Sequence, residues 1–220
     1  MDQDPPSTTT LPEDLLLLCA SPGDGRIRQP GSFRLALAGA VLAELVDAGA
    51  ATVEQGRRLV LLRPGPLGHP ALDAAATTLA GYAGPPRGAR LRGCLNRLGR
   101  RAAEPYLESL VRRGLVQRGT WKALGLIPIT RYTVTAAGAA VHKAGLARLA
   151  TAVDRPDAPA RALRLAALAH AGDLTGRLYP GPIANRAARS RLAALTRDDP
   201  IASAVRAAVR AAKDAQTGAG

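Results

Sequence analysis

Apolar residues recur at three- and four-residue spacing along most of this chain, a pattern typical of amphipathic helices. Proline and acidic residues open several of these segments, and glycine closes others. Pro105 predicts a break or a fresh start within the long segment that begins at Leu91. The predicted helices cover 11–18, 31–49, 71–79, 91–113, 136–150, 160–169, 183–196 and 200–213. We therefore predict a mainly α protein.

Two short segments have strand character instead. Residues 52–62 predict a small hairpin, followed by the Gly/Pro loop 63–68. A second hairpin is predicted within 115–135, with a turn at Gly119 and an alternating edge strand over 131–135. The predicted fold class is thus a helical bundle with one or two small β-hairpins.

One pattern occurs twice. A helix with apolar residues at fixed spacing ends at a glycine and precedes a predicted hairpin, first at Leu42-x-x-Leu45-Val46-x-x-Gly49 and again at Leu107-x-x-Leu110-Val111-x-x-Gly114. A helix, a glycine stop and a two-stranded wing are winged-helix-like elements, and winged-helix domains commonly bind DNA.

The most strongly charged part of the chain is 87–118, where nine arginines face only two acids. In the helix from Leu91, apolar residues at helical spacing would face a core, and the arginines between them would face solvent. Of the 30 basic residues in the chain, 27 are arginine, whose planar fork binds phosphate oxygens in pairs. The residues alone also allow a plainly solvated charged face.

Composition narrows the possible partners. The 220 residues are 47% apolar and 3% aromatic, which indicates a globular, largely helical protein with a core of Leu, Ala and Val. The net charge of +13 is uneven, being −5 over residues 1–24, +13 over 25–150 and +5 over 151–220. So basic a chain favours nucleic acid or an anionic membrane surface.

Several classes of protein are disfavoured. Cys19 and Cys94 form no disulfide or zinc pattern, so a reduced, cytoplasmic location without a metal or cofactor is expected. Residues 1–10 do not have the order of a secretory signal, and no apolar run of about 18 residues is present. No nucleophile-elbow, phosphate-loop or zinc-protease motif occurs, so we expect no enzyme. His170 and Asp173 are spaced to orient a base, or simply to make a helix-end hydrogen bond.

In order along the chain, five stretches resemble the Golgi phosphoprotein 3 family, including its bacterial members: LPEDLLLLCASPGDGRI at 11–27, LALAGAVLAEL at 35–45, YLESLVRRGLV at 106–116, ALGLIPITRY at 123–132 and LRLAALAHAGDL at 163–174. The resemblance implies a single helical domain, here 11–213, with a central bundle and a protruding β-hairpin. The residues themselves predict a disordered tail over 1–10 and a loose C-terminus over 214–220. It also implies a peripheral membrane protein. Eukaryotic members are similar in binding phosphatidylinositol 4-phosphate and the cytosolic tails of Golgi glycosyltransferases.

Four family headgroup positions fall near Gln29 and on Ala38, Arg100 and Ala103, so only Arg100 matches. Arg34 lies one helical turn before Ala38, and Arg97 and Arg101 flank Arg100. The candidate headgroup site is therefore Arg34, Arg97, Arg100 and Arg101.

The second hairpin would supply a membrane or oligomer contact. Its candidate residues, which would otherwise pack on the protein's own core, are Trp121, Leu124, Leu126 and Ile127. The expected function is peripheral binding to anionic phospholipid, with membrane-protein tails and a homo-oligomer through 119–135 as further partners. The alternative is a DNA-binding regulator, in which the helix from Arg97 to Arg113 reads a groove and Lys122 and Arg131 are wing contacts.

Overall fold

The computed structural model describes residues 9–55, 57–63, 66–99, 102–123, 127–175 and 186–218. Within them lie nine helices: α1 (Leu11–Leu18), α2 (Phe33–Asp47), α3 (Pro70–Ala83), α4 (Leu91–Gly99), α5 (Glu104–Arg112), α6 (Ala136–Asp154), α7 (Ala160–Ala171), α8 (Arg186–Asp198) and α9 (Pro200–Thr217). The mainly helical fold is confirmed, and most helix bounds lie within a few residues of the prediction.

Helix α2 forms the centre of the bundle. It is buried along most of its length and packs against α1, α4, α7 and α9. Gly39 permits the close approach of α9, because a Cβ at this position would overlap a methyl group of Val205 and touch Leu168.

Two small antiparallel sheets accompany the helices. Strands β1 (Ala51–Glu54), β2 (Arg58–Leu61) and β3 (Ala89–Arg90) form one sheet in that order, and β4 (Val116–Ala123) and β5 (Ile127–Val134) form a hairpin. The turn predicted at Gly119 is wrong: Gly119 lies within β4 and pairs with Arg131 of β5. Both strands of this hairpin are therefore eight residues long.

The two predicted glycine stops are confirmed. Gly49 and Gly114 follow the ends of α2 and α5 with φ of +64° and +69°, the left-handed conformation that glycine adopts without strain. The N–H of Leu115 donates to the carbonyl of Leu110 at 3.0 Å, which closes α5. In each case a hairpin follows directly, as the repeated pattern predicts.

At the start of α2, Ser32 occupies the N-cap position, but its side chain makes no cap hydrogen bond to the helix. Its hydroxyl instead donates to the carbonyl oxygen of Gly172 at 3.0 Å, which ties α2 to the end of α7.

Thr10 is the N-cap residue of α1, and α9 extends to Thr217. Among the described helices, none has the length and apolar character needed to cross a bilayer.

Candidate functional site

Helix α4 separates apolar and basic residues as predicted. Leu91, Cys94, Leu95 and Leu98 are buried, whereas Arg92 and Arg97 are exposed. The sequence from 85 to 103 contains no acidic residue. The outer side of α4 is therefore positive, with no acid from its own segment to neutralise it.

Arg97 leans from α4 towards α3. Its Nε donates to the carbonyl oxygen of Thr78 at 3.2 Å, and its Cζ lies 5.4 Å from the ring centroid of Tyr82. These contacts hold one edge and one face of the guanidinium group, while the residue stays exposed.

Arg34 is exposed on the first turn of α2, beside the end of α4. A Cβ at Gly99 would lie 3.4 Å from the Arg34 carbonyl oxygen, so the two backbones pass close to one another there. Arg100 and Arg101 follow directly but lie outside the described residues. The structure brings Arg34 next to the end of α4, whereas Arg97 faces α3, and the described contacts do not join their side chains.

The segment before α2 forms a groove with the hairpin. The N–H of Ile27 donates to the carbonyl of Tyr132 at 3.0 Å, which places this segment along β5. The groove encloses about 500 Å³, and its polar lining includes Arg26, Arg28, Gln29 and Arg131. Gln29, near which the resemblance places one of the four headgroup positions, therefore lies in this arginine-containing groove.

The hairpin carries an exposed apolar pair. Trp121 and Ile129 lie opposite one another on β4 and β5, with 47% and 41% of their surfaces exposed. The guanidinium carbon of Arg131 lies 3.9 Å from the Trp121 ring centroid. Of the other predicted hairpin residues, Leu124 and Leu126 lie outside the described residues, as does the side chain of Ile127 in β5. Trp121 is thus available for contact rather than packed in the core.

His170 and Asp173 do not form a pair in which the acid orients the imidazole as a base. His170 Nδ1 lies 2.8 Å from the hydroxyl of Thr196, and Asp173 pairs with Arg206 and Lys213. The helix-end interaction is a backbone one, in which the N–H of Asp173 donates to the carbonyl of His170 at 3.1 Å.

A buried polar cluster that the sequence does not reveal surrounds Glu13. Its carboxylate accepts hydrogen bonds from the Ser109 hydroxyl at 2.7 Å and Arg113 Nη1 at 2.9 Å, and lies 3.5 Å from His69 Nε2. Serine, histidine and glutamate also form nucleophilic sites, but here the serine hydroxyl is buried and donates directly to the acid. The arrangement is that of an ion-pair cluster joining α1, α3 and α5.

The next residue after Glu13, Asp14, is the centre of a second buried polar cluster. Its Oδ1 accepts from the Thr9 hydroxyl at 2.7 Å and from Arg148 at 2.9 Å, and Arg161 lies 3.7 Å from Oδ2. In the sequence, both residues are simply acids at the start of a helix. Their arginine partners lie at least 100 residues away along the chain and give no sequence signal.

The two carboxyl groups differ in their pKa values. Burial alone would raise the pKa of Glu13, but hydrogen bonds from His69, the Thr10 N–H and Ser109, with the charge of Arg113, lower it to about 2. At Asp14 burial prevails over Thr9, Arg148 and Arg161, and the pKa is raised. Glu13 therefore favours folding in its charged form.

Within the described residues, no three His, Cys, Asp or Glu side chains come together as a metal site.

Fold and surface together define a class of helical-bundle proteins with a basic face and a solvent-exposed hairpin. The family profile described as Golgi phosphoprotein 3 (GPP34) matches residues 11–212. The chain therefore belongs to the Golgi phosphoprotein 3 family. Comparison with curated proteins gave no match.

Proposed function

We propose that this chain is a non-enzymatic, peripheral membrane protein that binds anionic phospholipid head groups through its arginine-rich face and acts as an adaptor for membrane-protein tails. The observation that carries the proposal is the uncompensated positive side of α4. Near an anionic leaflet, each arginine contributes roughly 1 kcal/mol of binding free energy, which decreases over a Debye length.

The geometry favours a charged surface over one closed headgroup pocket. Arg97 is held against α3, Arg34 lies beside the end of α4, and Arg131 lies at the hairpin. A spread of guanidiniums can follow a leaflet, whereas a single phosphate requires convergence. We therefore propose charge-dominated recognition of anionic lipid, with weak discrimination between head groups.

DNA binding is supported less well. The recognition helix predicted from Arg97 to Arg113 is not one helix, because α4 ends at Gly99 and α5 begins at Glu104. The helix directly before the long hairpin is α5, and its exposed residues include Glu104 and Glu108 as well as Arg112. The remaining basic residue near its end, Arg113, pairs with Glu13. This mixed face would not be attracted to phosphates as strongly as α4.

Replacing Arg34, Arg97, Arg100 and Arg101 together by alanine is expected to lower vesicle binding more than about tenfold, because four charges leave the face. Cosedimentation should use phosphatidylcholine alone or mixed with phosphatidylglycerol, phosphatidylinositol or phosphatidylinositol 4-phosphate, at low and physiological salt, with duplex DNA as competitor.

Two double variants that remove the same charge separate the effect of where the arginines lie from the effect of total charge. The pair Arg34→Ala/Arg97→Ala should weaken binding more than Arg186→Ala/Arg189→Ala, which removes two exposed arginines from α8. Unchanged vesicle binding by the four-site variant would refute the arginine-rich face. Retention on DNA above that on vesicles at the same salt would favour the DNA alternative.

Trp121 provides an internal probe of the hairpin, because it is the only tryptophan in the chain. We expect its fluorescence emission to shift to the blue when the protein binds anionic vesicles, since an aromatic ring with a polar edge enters the lipid interface. Brominated lipids should quench it. Vesicle binding without either change would show that the hairpin stays outside the bilayer, and a dimer that dissociates in Trp121→Ala would assign it to self-association.

A further inference from the structure

A second basic site lies away from α4, in a cleft between α8 and α9. It encloses about 460 Å³ and is closed at its sides by the end of α7 and the β1–β2 turn. Helix α9 presents Ser203, Arg206, Ala207 and Arg210 along one side of the cleft. This spacing of three, four and seven residues places them on one face, opposite the apolar face of α9 that packs into the bundle.

Four arginines from three separate elements line this cleft: Arg57, Arg197, Arg206 and Arg210. Arg57 comes from the β1–β2 turn, where its carbonyl accepts a hydrogen bond from the Leu91 N–H at 3.0 Å. Its backbone is therefore fixed, and the side chain starts from a defined position.

Local acids do not balance these charges. Asp173 pairs with Arg206 but is shared with Lys213, which lies outside the cleft lining. Asp198 is 3.9 Å from Arg197, and both side chains are largely exposed, so this pair is weak. Within the described part of the chain, Arg57 and Arg210 have no acid within ion-pair distance. The cleft therefore holds like charges together, which is unfavourable until an anion enters.

Neutral polar groups complete the lining. The hydroxyl of Thr196 donates to the carbonyl of Leu192 at 2.8 Å, which leaves its oxygen to accept from His170 Nδ1. Burial, with the charges of Arg206 and Arg210, lowers the pKa of His170 in spite of Asp173. The imidazole is thus neutral and oriented, and Ser203 adds a hydroxyl that can donate.

We propose that the α8–α9 cleft binds a phosphate-bearing anion with more than one negative charge. Guanidinium forks donate paired hydrogen bonds to phosphate oxygens, and an anion of two or more charges would relieve the repulsion among the four arginines. A cleft of this volume accommodates a diphosphate or a phosphorylated head group. The site uses none of the residues of the α4 face, so it is independent of the proposed membrane contact.

The test is calorimetric titration of the full chain with inorganic pyrophosphate at physiological salt. Wild type should show saturable binding at one site. The pair Arg57→Gln/Arg210→Gln should weaken it about tenfold or more, because each change removes charge-assisted hydrogen bonds. The control pair Arg186→Gln/Arg189→Gln removes the same charge from exposed positions on α8 outside the cleft lining and should change affinity less than about twofold.

Thermal unfolding of each variant checks its fold. If the glutamine pair fails to fold, Arg57→Lys/Arg210→Lys keeps the charge, removes the fork and should still weaken binding severalfold. Absence of saturable binding to wild type, or equal weakening by the cleft and control pairs, would overturn the proposal.

Vesicles containing phosphatidylinositol 4-phosphate then identify the source of the phosphate. Competition by pyrophosphate, with loss of vesicle binding in the cleft pair, would assign a lipid head group. Vesicle binding that the cleft pair retains, while pyrophosphate binding is lost, would assign a soluble phosphate ligand. The α4 variants test the other surface, so failure of one site is distinguishable from failure of the other.

Discussion

Replacing Glu13 by alanine is expected to lower the free energy of unfolding by about 3 kcal/mol, the cost of breaking a buried charge pair. The carboxylate is fully buried and accepts hydrogen bonds from the Thr10 N–H, Ser109 and Arg113. Alanine would leave a buried hydroxyl and a partly buried guanidinium without their acceptor. Urea unfolding at pH 7 measures the change.

The control for this prediction is Glu108→Ala. Glu108 is exposed on α5, so we expect its loss to change stability by less than about 0.5 kcal/mol. Similar effects for the two glutamates would show that the buried cluster contributes nothing beyond ordinary surface charge.

Lowering the pH should remove the stabilisation that charged Glu13 provides. Because the pKa of Glu13 is lowered from 4.5 to about 2 on folding, its contribution is complete above pH 4.5 and is lost as the pH falls towards 2. Asp14 acts in the opposite direction, since its pKa is raised and its charged form opposes folding. The stability difference between wild type and Glu13→Gln should therefore narrow as the pH falls from about 5 to 2. A constant difference would contradict the lowered pKa.

The parts of the fold that depend on local spacing could be predicted from sequence. Helix α4 buries the apolar residues expected of it, because one helical turn decides which side chains share a face. The stops at Gly49 and Gly114 follow from the conformational freedom of glycine, which is also local.

The long hairpin shows where local signals fail. Glycine at position 119 is a turn residue by propensity, yet it lies within a strand and pairs with Arg131. Pairing along eight residues in each strand outweighs the preference of one residue. Ser32 is a second case: serine is a common residue at a helix start, but the partner of its hydroxyl, the Gly172 carbonyl, is 140 residues away and could not be predicted.

Neither the Glu13 cluster nor the arginine cluster of the α8–α9 cleft could be predicted from the sequence, because each joins residues that are far apart along the chain. Glu13 and Arg113 are 100 residues apart, and the arginines of the α8–α9 cleft come from residue 57 and from 197–210. Only the polar face of α9 repeats at a spacing that sequence could have revealed, through Ser203, Arg206 and Arg210. That pattern does not predict that the β1–β2 turn, which carries Arg57, lies opposite this face of α9.

Part of the negative charge of the acidic N-terminal segment is buried in the structure. Of the five acids within residues 1–24, Glu13 and Asp14 are buried and paired with arginines of later helices. Of the two, Glu13 stabilises the bundle in its charged form, and neither acid pairs with an arginine of α4.

Replacing Gly138 by alanine is expected to destabilise the protein by about 2 kcal/mol, although alanine is the better helix former. A Cβ there would overlap the carbonyl oxygen of Leu115 and crowd Val134. A backbone oxygen cannot rotate away, and that of Leu115 also accepts from the N–H of Thr135 at 3.0 Å. The first turn of α6 would have to move from the base of the long hairpin, which chemical unfolding would register as lost stability.

Gly145 in the same helix is the matched control. A Cβ there would meet Leu18 Cδ2 at 3.5 Å, an ordinary contact, so Gly145→Ala should stabilise by up to about 1 kcal/mol through helix propensity. The same substitution would thus have opposite signs at two positions seven residues apart in α6. Equal effects would mean that propensity alone governs this helix and that the close contact between Gly138 and Leu115 imposes no constraint. If the signs are opposite, a shift in Trp121 emission without lipid in Gly138→Ala would show that the contact also sets the position of the hairpin.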